Sequence, residues 1–381
     1  MRLYDTARRA VVAFEPAPVA TLYSCGITPY DAAHLGHAAV YLTFDVLQRR
    51  LRDMGHETRC VRNVTDVDDD ILRKARELGV HYLDLAAEEM ARFDADMAAL
   101  GLLPVYSEPR ATSAIPDILS LVGAVLERGN AYRSGGAVYF DVTTFGGWGK
   151  VSHFDEAEML RLAAANGGNP DDPAKRHPLD FVLWQPSLPD EPAWESRWGP
   201  GRPGWHIECS ALVLRELGPT IDLHGGGRDL VFPHHECETA QAESVTGRQF
   251  VRHWLHVGLV ELGGQKMSKS LGNLVFVSDL LKDWEPAALR LALLAHHYRH
   301  DWEWTGDDMP GAAARLERWR RSLAGAAGRR GTGAGSGEPL AAVRKRLDDD
   351  LDTPGALQAL DEWAAAGGAI GAGAALLGVE L

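Results

Sequence analysis

The sequence predicts an α/β protein in which a doubly wound parallel sheet is interrupted by an insertion and followed by a C-terminal helical bundle. An apolar run at Val19–Tyr23 predicts a strand, His34–Arg52 has the spacing of an amphipathic helix, and Thr58–Val64 predicts a second strand. Strand, helix and strand in this order form a βαβ unit, which implies a parallel sheet covered by helices. Residues 145–204 are rich in Gly, Pro and Trp, which indicates a long irregular insertion.

The remaining elements follow from the same patterns. Helices are predicted at Leu72–Leu100, Ile115–Arg128, His234–Val245, Glu285–Tyr298 and, as one amphipathic helix, Leu340–Trp363. Strands are predicted at Gly136–Val142, which alternates like an edge strand, and at Ile221–His224, which runs into three glycines. The Gly- and Ala-rich residues at about 324–337 have the composition of a flexible linker.

Composition is that of an ordinary globular protein. The 381 residues are 45% hydrophobic and 24% charged. No apolar run approaches the roughly 18–20 residues of a membrane-spanning helix, so no membrane attachment is expected. Four irregularly spaced cysteines suit a reducing compartment, and we expect a cytoplasmic protein whose cysteines are buried or bind metal. The net charge of −14 disfavours a broad surface for nucleic acid.

Two short motifs carry the chemistry. The first is Cys25-Gly-Ile-Thr-Pro-Tyr-Asp-Ala-Ala-His34-Leu-Gly-His37, which runs from a strand end to a helix start, where backbone N–H groups favour a phosphate. Taken alone, two histidines here are better explained as surface residues beside a helix cap. The second motif, Lys266-Met-Ser-Lys269-Ser, places two ammonium groups on a loop that can close over developing phosphate charge. The pair predicts adenylate formation.

These motifs resemble those of the cysteinyl-tRNA synthetase superfamily, and the resemblance covers nearly the whole chain. Three further matching segments are Asn63-Val-Thr-Asp-Val-Asp-Asp, Gly204-Trp-His-Ile-Glu-Cys209-Ser and Gly225-Gly-Gly-Arg-Asp229-Leu-Val-Phe-Pro-His234-His-Glu. Two features are more similar to the cysteine ligases of mycothiol biosynthesis than to the synthetases: the sequence Ile27-Thr-Pro-Tyr30 in the first motif and the short segment after Ser270. Those ligases couple cysteine to the amine of glucosaminyl-inositol.

That resemblance implies a class I synthetase fold with a Rossmann-like catalytic domain. Its two halves are expected at 1–104 and 205–284, the second half carrying the lysine loop. A connective insertion would occupy 105–204, and a stem-contact region with a C-terminal helical domain would occupy 285–381.

The resemblance also implies one Zn²⁺, although the spacing of its ligands alone would not reveal a metal. The implied ligands are Cys25, Cys209 and His234. Such a site keeps one position for a cysteine thiolate and discriminates against serine. Glu238 lies one helical turn after His234 and is either a displaceable fourth ligand or an acceptor beside the metal. Cys237 and Cys60 are expected in apolar packing.

Catalytic and binding roles carry over from the family in the same way. The implied catalytic residues are His34, His37, Lys266 and Lys269. The implied substrate and adenylate contacts are Cys25, Gly26, Ile27, Thr28, Val40, Asn63, Val64, Thr65, Trp205, Gly227, Arg228, Asp229 and Val260. Mg²⁺ is expected to arrive with ATP, and the acidic residues at 66–70 are expected to cap a helix rather than bind it.

The expected activity is therefore ATP-dependent ligation of L-cysteine to glucosaminyl-inositol through a cysteinyl-adenylate, with release of AMP and pyrophosphate. A compact cysteinyl-tRNA synthetase is one alternative, although tRNA is the less favoured acceptor because the tail is short and acidic. A catalytically silent paralogue that binds zinc or nucleotide is a second alternative. A monomer is expected, and no residue stands out as the base for the acceptor amine.

Overall fold

The computed structural model describes residues 1–268, 271–327 and 338–381. Its strands are β1 Arg2–Asp5, β2 Ala10–Ala13, β3 Val19–Ile27, β4 Glu57–Val64, β5 Ala131–Ser134, β6 Ala137–Phe140, β7 Phe181–Gln185, β8 Arg202–Pro203, β9 Leu223–Gly227, β10 Trp254–Val257, β11 Val260–Glu261 and β12 Trp302–Glu303. Its helices are α1 Leu35–Asp53, α2 Asp69–Leu78, α3 Tyr82–Ala99, α4 Ile115–Glu127, α5 Glu156–Ala165, α6 Trp205–Glu216, α7 Glu236–Thr246, α8 Val277–Leu280, α9 Pro286–Leu294, α10 Asp308–Ala327, α11 Glu338–Leu347, α12 Thr353–Ala365 and α13 Gly371–Leu376.

The main sheet has four parallel strands in the order β10-β9-β3-β4. Helix α1 connects β3 to β4, as the βαβ pattern predicts, and it buries an apolar face that includes Leu35, Leu42 and Leu47. Because the strands are parallel, their carboxyl ends lie at one edge of the sheet, which is where ligands bind in open α/β sheets. Cys25, Asn63 and Gly227 all lie at or near this edge.

The insertion contains more regular structure than its composition indicates. Strands β5 to β8 form a second, antiparallel sheet in sequential order, and α5 lies between β6 and β7. The expectation of an edge strand at Gly136–Val142 is wrong, because β6 pairs on both sides and all four of its residues are buried. A strand that pairs on both sides and is buried on both faces does not need apolar and polar residues to alternate.

Two predicted helices are each divided in two. The pattern at Leu72–Leu100 is broken at Gly79, which has a φ of 68° and ends α2 before α3 begins. The pattern at Leu340–Trp363 is broken between α11 and α12, where Asp350 and Leu351 have φ values of 60° and 50°. Asp352 then caps α12 by accepting a hydrogen bond from the Gly355 amide at 2.8 Å.

The C-terminal segment packs against the parallel sheet region through charged contacts with α1. Arg50 donates to both carboxylate oxygens of Asp348, at 2.9 and 2.8 Å, and Arg344 pairs with Asp53. Arg290 on α9 is buried and donates to the carbonyl oxygens of Leu100 and Leu377 at 2.9 and 2.7 Å. These contacts fix the C-terminal segment to the helix that begins at the His-rich motif.

Of the predicted linker at about 324–337, residues 324–327 belong to α10, and residues 328–337 lie outside the described residues. Among the described helices, none combines the length and apolar character that crossing a bilayer requires.

Candidate active site

The amino end of α1 carries the two motif histidines. His34 caps the helix, with its Nδ1 accepting a hydrogen bond from the Gly36 amide at 3.1 Å. The rings of His34 and His37 stack with their centroids 3.8 Å apart. No acidic residue lies in the first turn of α1, so the helix dipole and the backbone N–H groups there favour an anion.

Next to this helix start, β3 and β4 approach each other closely. The Gly26 amide donates to Asn63 Oδ1 at 2.8 Å, and Asn63 Nδ2 donates to Thr65 Oγ1 at 3.0 Å. A Cβ at Gly26 would lie 1.5 Å from the Asn63 carbonyl oxygen, so only glycine fits. The carboxyl ends of these strands therefore bring Gly26, Asn63 and Thr65 together, as the sequence predicts.

One residue of the acidic run, Asp68, caps a helix, as the sequence predicts. Asp68 is the N-cap of α2 and accepts hydrogen bonds from the Ile71 amide at 2.9 Å and from Thr28 Oγ1 at 2.8 Å. Burial raises the pKa of the Asp68 carboxyl to about 6, against the lowering effect of these hydrogen bonds. The same contact fixes Thr28 at the mouth of the site.

The lysine loop lies beside the residues at the carboxyl end of β9. Lys266 Nζ donates to Asp229 Oδ2 at 3.0 Å, which brings the loop to the residues that follow β9. Arg228, beside Asp229, pairs with Asp301 at 2.7 Å and so holds this segment to the region after α9. The predicted catalytic residue Lys269 lies outside the described residues.

Four side chains meet in a buried cluster behind the strand ends. Cys25 comes from β3, Cys209 from α6, His234 from the kinked turn Val231–His235, and Glu238 from α7. One ligand atom of each lies within 4.8 Å of the others, and each residue is at most 5% exposed. Glu238 Oε1 lies 3.0 Å from His234 Nε2 and accepts a hydrogen bond from the Cys25 thiol at 3.7 Å.

The cluster concentrates charge in a buried place. A hydrogen bond from Cys25 lowers the pKa of the Cys209 thiol to about 6, while burial and the neighbouring Cys209 raise that of Cys25. Burial alone would raise the pKa of Glu238, but His224 and His234 lower it to about 2. Burial would likewise lower the pKa of His234, but Glu238 and Cys209 raise it to about 10.

Two thiols, an imidazole and a carboxylate are donors that suit Zn²⁺. His234 Nε2 is buried and has no partner in hydrogen-bond geometry among the described residues, although Glu238 Oε1 is 3.0 Å away. Its other ring nitrogen, Nδ1, shares a hydrogen bond of 2.8 Å with His206 Nδ1, which orients the ring with Nε2 toward the cluster. These residues fit a zinc ion.

Further histidines surround the cluster, although they were not predicted as site residues from the sequence. His224 Nε2 is hydrogen-bonded to Glu238 Oε2 at 2.9 Å, and His235 Nε2 contacts Cys25 Sγ at 3.3 Å. His235 Nδ1 is joined to His256 Nε2 at 2.7 Å. Burial lowers the pKa of His256 to about 3, so the ring is neutral and can accept or donate. The one available signal was the density of histidine between residues 206 and 256.

Of the other residues considered from the sequence, Trp205 contacts the cluster, whereas several others lie in apolar cores. Trp205 packs its ring on His234 with centroids 4.3 Å apart, so it forms a wall of the cluster. Val40 and Val260 contribute to the core that supports α1 and β11. Cys237 and Cys60 lie in apolar cores, as predicted, and neither belongs to a described group of potential metal ligands.

Comparison with known proteins identifies the family. Residues 13–314 match the family described as tRNA synthetases class I (C) catalytic domain. A ligase of Thermobispora bispora, named L-cysteine:1D-myo-inositol 2-amino-2-deoxy-alpha-D-glucopyranoside ligase, is 50% identical over 97% of this chain and 90% of its own. The protein of the same name from Nakamurella multipartita is 50% identical over 100% of this chain and 95% of its own.

Solved structures support the fold. Methionyl-tRNA synthetase of Mycobacterium tuberculosis in complex with methionyl-adenylate superposes with a TM-score of 0.68 at 18% identity, covering 91% of this chain and 82% of that one. A putative arginyl-tRNA synthetase from Campylobacter jejuni gives a TM-score of 0.58 at 13% identity, covering 96% of this chain and 90% of that one. The predicted class I synthetase fold is confirmed.

Proposed function

The chain belongs to the family of L-cysteine:1D-myo-inositol 2-amino-2-deoxy-alpha-D-glucopyranoside ligases, and on that premise we propose how its own residues carry out the ligation. The enzyme is an ATP-dependent ligase that joins L-cysteine to the amine of glucosaminyl-inositol in mycothiol biosynthesis. The single observation that carries the site assignment is the buried cluster of Cys25, Cys209, His234 and Glu238 beside the carboxyl ends of the sheet.

The first step is adenylation of cysteine. A carboxylate oxygen of cysteine attacks the α-phosphorus of ATP, the bond from that phosphorus to the oxygen bridging the β-phosphate breaks, and pyrophosphate leaves. Mg²⁺ that accompanies ATP would neutralise part of the phosphate charge. We assign stabilisation of the phosphate charge to His34 and His37 at the amino end of α1, and to Lys266 and Lys269 of the loop. Preorganised donors of this kind lower the barrier without reorganisation during the reaction.

Lys266 has to exchange partners during this step. Its ammonium group pairs with Asp229 in the structure, and both side chains are more than 40% exposed, so the pair is weak. A triphosphate carries more negative charge than one carboxylate and competes effectively for the lysine. Asp229 is then free to contact the nucleotide or the substrate amine.

Selection of cysteine is assigned to the cluster. Bound zinc would supply a coordination position that takes a thiolate in preference to a serine hydroxyl. Cys25, Cys209 and His234 would hold the ion, with Glu238 as a fourth donor that the substrate thiolate displaces. Trp205, packed on His234, closes the apolar side of the cysteine pocket.

The adenylate would lie along the strand ends between α1 and the lysine loop. We assign its contacts to the following residues: Gly26, Ile27, Thr28, Val40, Asn63, Val64, Thr65, Gly227, Arg228, Asp229 and Val260. The Gly26–Asn63 hydrogen bond and the closeness of the two backbones leave room for a ligand to approach this edge. The Thr28–Asp68 contact lies at the same edge and fixes its outer rim.

The second step transfers the cysteinyl group. The acceptor nitrogen attacks the carbonyl carbon of the adenylate, the carbon–oxygen bond to AMP breaks, and the amine gives up one proton as the amide forms. A reducing compartment such as the cytoplasm keeps the Cys25 and Cys209 thiols available, and we propose that the enzyme works there as a monomer.

Cysteine-dependent exchange of labelled pyrophosphate into ATP tests the first step directly. The expected result is exchange with cysteine, strong discrimination against serine, and loss of that discrimination after treatment with a zinc chelator. Absence of cysteine-dependent exchange would remove the ligase assignment and favour a silent nucleotide-binding protein. Equal exchange with serine would remove the zinc assignment alone.

A further inference from the structure

The lysine loop follows a short hairpin, in which Lys266 pairs with Glu261 and the Met267 amide donates to the Val260 carbonyl oxygen at 2.9 Å. Strand β11 ends at Glu261, and the chain returns through a tight turn in which the Leu262 amide donates to the Gln265 carbonyl oxygen at 2.8 Å. Gly263 and Gly264 at the tip have φ values of 66° and 72°, which glycine adopts without strain. Lys266 follows directly, so the position of this turn sets the position of the lysine.

The amides at the tip of the turn are both bound by one carboxylate. Gly263 donates to Glu303 Oε1 at 2.5 Å, and Gly264 donates to Glu303 Oε2 at 3.1 Å. Glu303 belongs to β12, which pairs in parallel with β11 through Val260 and Glu261. A carboxylate that accepts two backbone hydrogen bonds is a strong, directional attachment.

The pairing beneath this attachment is short. Strands β11 and β12 contain two residues each, so the ladder by itself offers little resistance to fraying. Farther along the loop, Asn273 accepts from the Ser268 amide at 2.9 Å and donates to the Lys266 carbonyl oxygen at 3.2 Å. The loop is therefore held on both sides of Lys266, by Glu303 before it and by Asn273 after it.

We propose that Glu303 is a positioning residue for adenylation, which holds the Gly263–Gly264 turn and thereby directs Lys266 at the phosphates of ATP. The inference rests on the proposed function, because it takes Lys266 as a group that contacts ATP. Glu303 lies in the segment after α9, outside the motifs, and it gives the C-terminal region a direct connection to the catalytic loop.

Loosening the Gly263–Gly264 turn should act mainly on the first step of the reaction, adenylation. A displacement of about 1 Å in a catalytic group can reduce the rate by roughly a hundredfold, so a loosened turn should slow adenylation. The acceptor step takes place after the β- and γ-phosphates have left, so less phosphate charge remains for Lys266 to stabilise. Substitution of Glu303 should therefore slow adenylation more than transfer to the acceptor.

The test compares Glu303→Ala and Glu303→Gln with the control Glu261→Gln in the full chain. Glu261 lies on the same hairpin, and its carboxylate makes no hydrogen bond among the described residues. We expect the alanine variant to lower kcat for cysteine-dependent pyrophosphate exchange by about tenfold, with the KM for cysteine and the bound zinc unchanged. The glutamine variant should fall in between, because it keeps one acceptor oxygen.

A second measurement does not depend on activity. In Glu303→Ala, the Gly263 and Gly264 amides should exchange hydrogen faster, and Lys266 should be acetylated faster by acetic anhydride than in the wild type and Glu261→Gln. Unchanged modification of Lys266 would overturn the inference, as would equal slowing of adenylation and of transfer from preformed cysteinyl-adenylate. Absence of pyrophosphate exchange in the wild type would instead contradict the proposed function, while the modification result would still decide whether Glu303 holds the loop.

Discussion

Replacing Glu238 by glutamine tests whether this carboxylate is a metal donor. Glu238 has no exposed surface, and its two oxygens have different partners. Oε2 accepts from His224 Nε2 at 2.9 Å, whereas Oε1 lies between His234 Nε2 at 3.0 Å and Cys25 Sγ at 3.7 Å. Oε1 is thus the atom that points at the centre of the cluster, and His224 fixes that orientation.

The expected loss in the Glu238→Gln variant follows from this geometry. The glutamine amide is uncharged and is therefore a weaker ligand for zinc than the carboxylate. Its hydrogen bond with His224 is also weaker, so the side chain is oriented less firmly toward the cluster. Loss of a group that orients or supports metal ligands typically costs about 10- to 100-fold in metal affinity, which is about 1.4–2.7 kcal/mol. We expect the zinc dissociation constant of the Glu238→Gln variant to rise by this factor.

Competition with a chromogenic chelator at fixed pH measures the change. Glu208→Gln is the matched control, since Glu208 is also fully buried and directly precedes Cys209, but lies outside the cluster of ligands. The control should retain wild-type affinity. A Glu238→Gln variant that binds zinc as tightly as the wild type, alongside a Cys209→Ser variant that does not, would refute the reasoning and leave Glu238 outside the metal site.

Three further predictions concern the framework of the site. Replacing the buried Arg290 by methionine should lower the free energy of unfolding by about 3–5 kcal/mol, because the Leu100 and Leu377 carbonyl oxygens lose their donor and Asp45 loses one of its two arginines, whereas the partly exposed Arg320→Met should change it by less than about 1 kcal/mol. Urea unfolding of both variants decides this point. Because burial raises the pKa of Asp68 to about 6 in the folded state, above the unfolded value of about 3.9, its contribution to stability is fully present below about pH 4 and is lost as the pH rises to 6. The stability of the wild type relative to Asp68→Asn should therefore decline over that interval, and a pH-independent difference would contradict it. Gly26→Ala should lower the melting temperature and abolish pyrophosphate exchange, because the added methyl group would lie 1.5 Å from the Asn63 carbonyl oxygen; a variant with wild-type melting and exchange would show that the strands can separate at this point.

The sequence was most informative where local pattern and chemistry coincide. The strand that carries Cys25, the helix that begins after His34 and the strand that carries Asn63 follow from periodicity, and parallel pairing then brings the carboxyl ends of the two strands together. The zinc ligands could be taken only from family resemblance, because Cys25, Cys209 and His234 come from three different elements. Their convergence is a tertiary property that spacing does not encode.

Other residues at the site could not be predicted from sequence, because only tertiary contacts bring them there. His224, His235 and His256 reach the cluster because β9, the kinked turn and β10 are neighbours in the sheet region. The break between α11 and α12 depends on backbone conformations at Asp350 and Leu351 that an apolar pattern does not reveal. Glu303 is separated from the glycines that it binds by 39 and 40 positions, so no local motif identifies it.

The choice of acceptor is the central claim, and a competition assay tests it most directly. The enzyme is supplied with ATP, labelled cysteine, glucosaminyl-inositol and tRNA together, and the label is then followed into each acceptor by mass spectrometry and acid precipitation. We expect cysteine in amide linkage to glucosaminyl-inositol, with AMP released in equal amount and no labelled tRNA. Label in tRNA and none in glucosaminyl-inositol would contradict it.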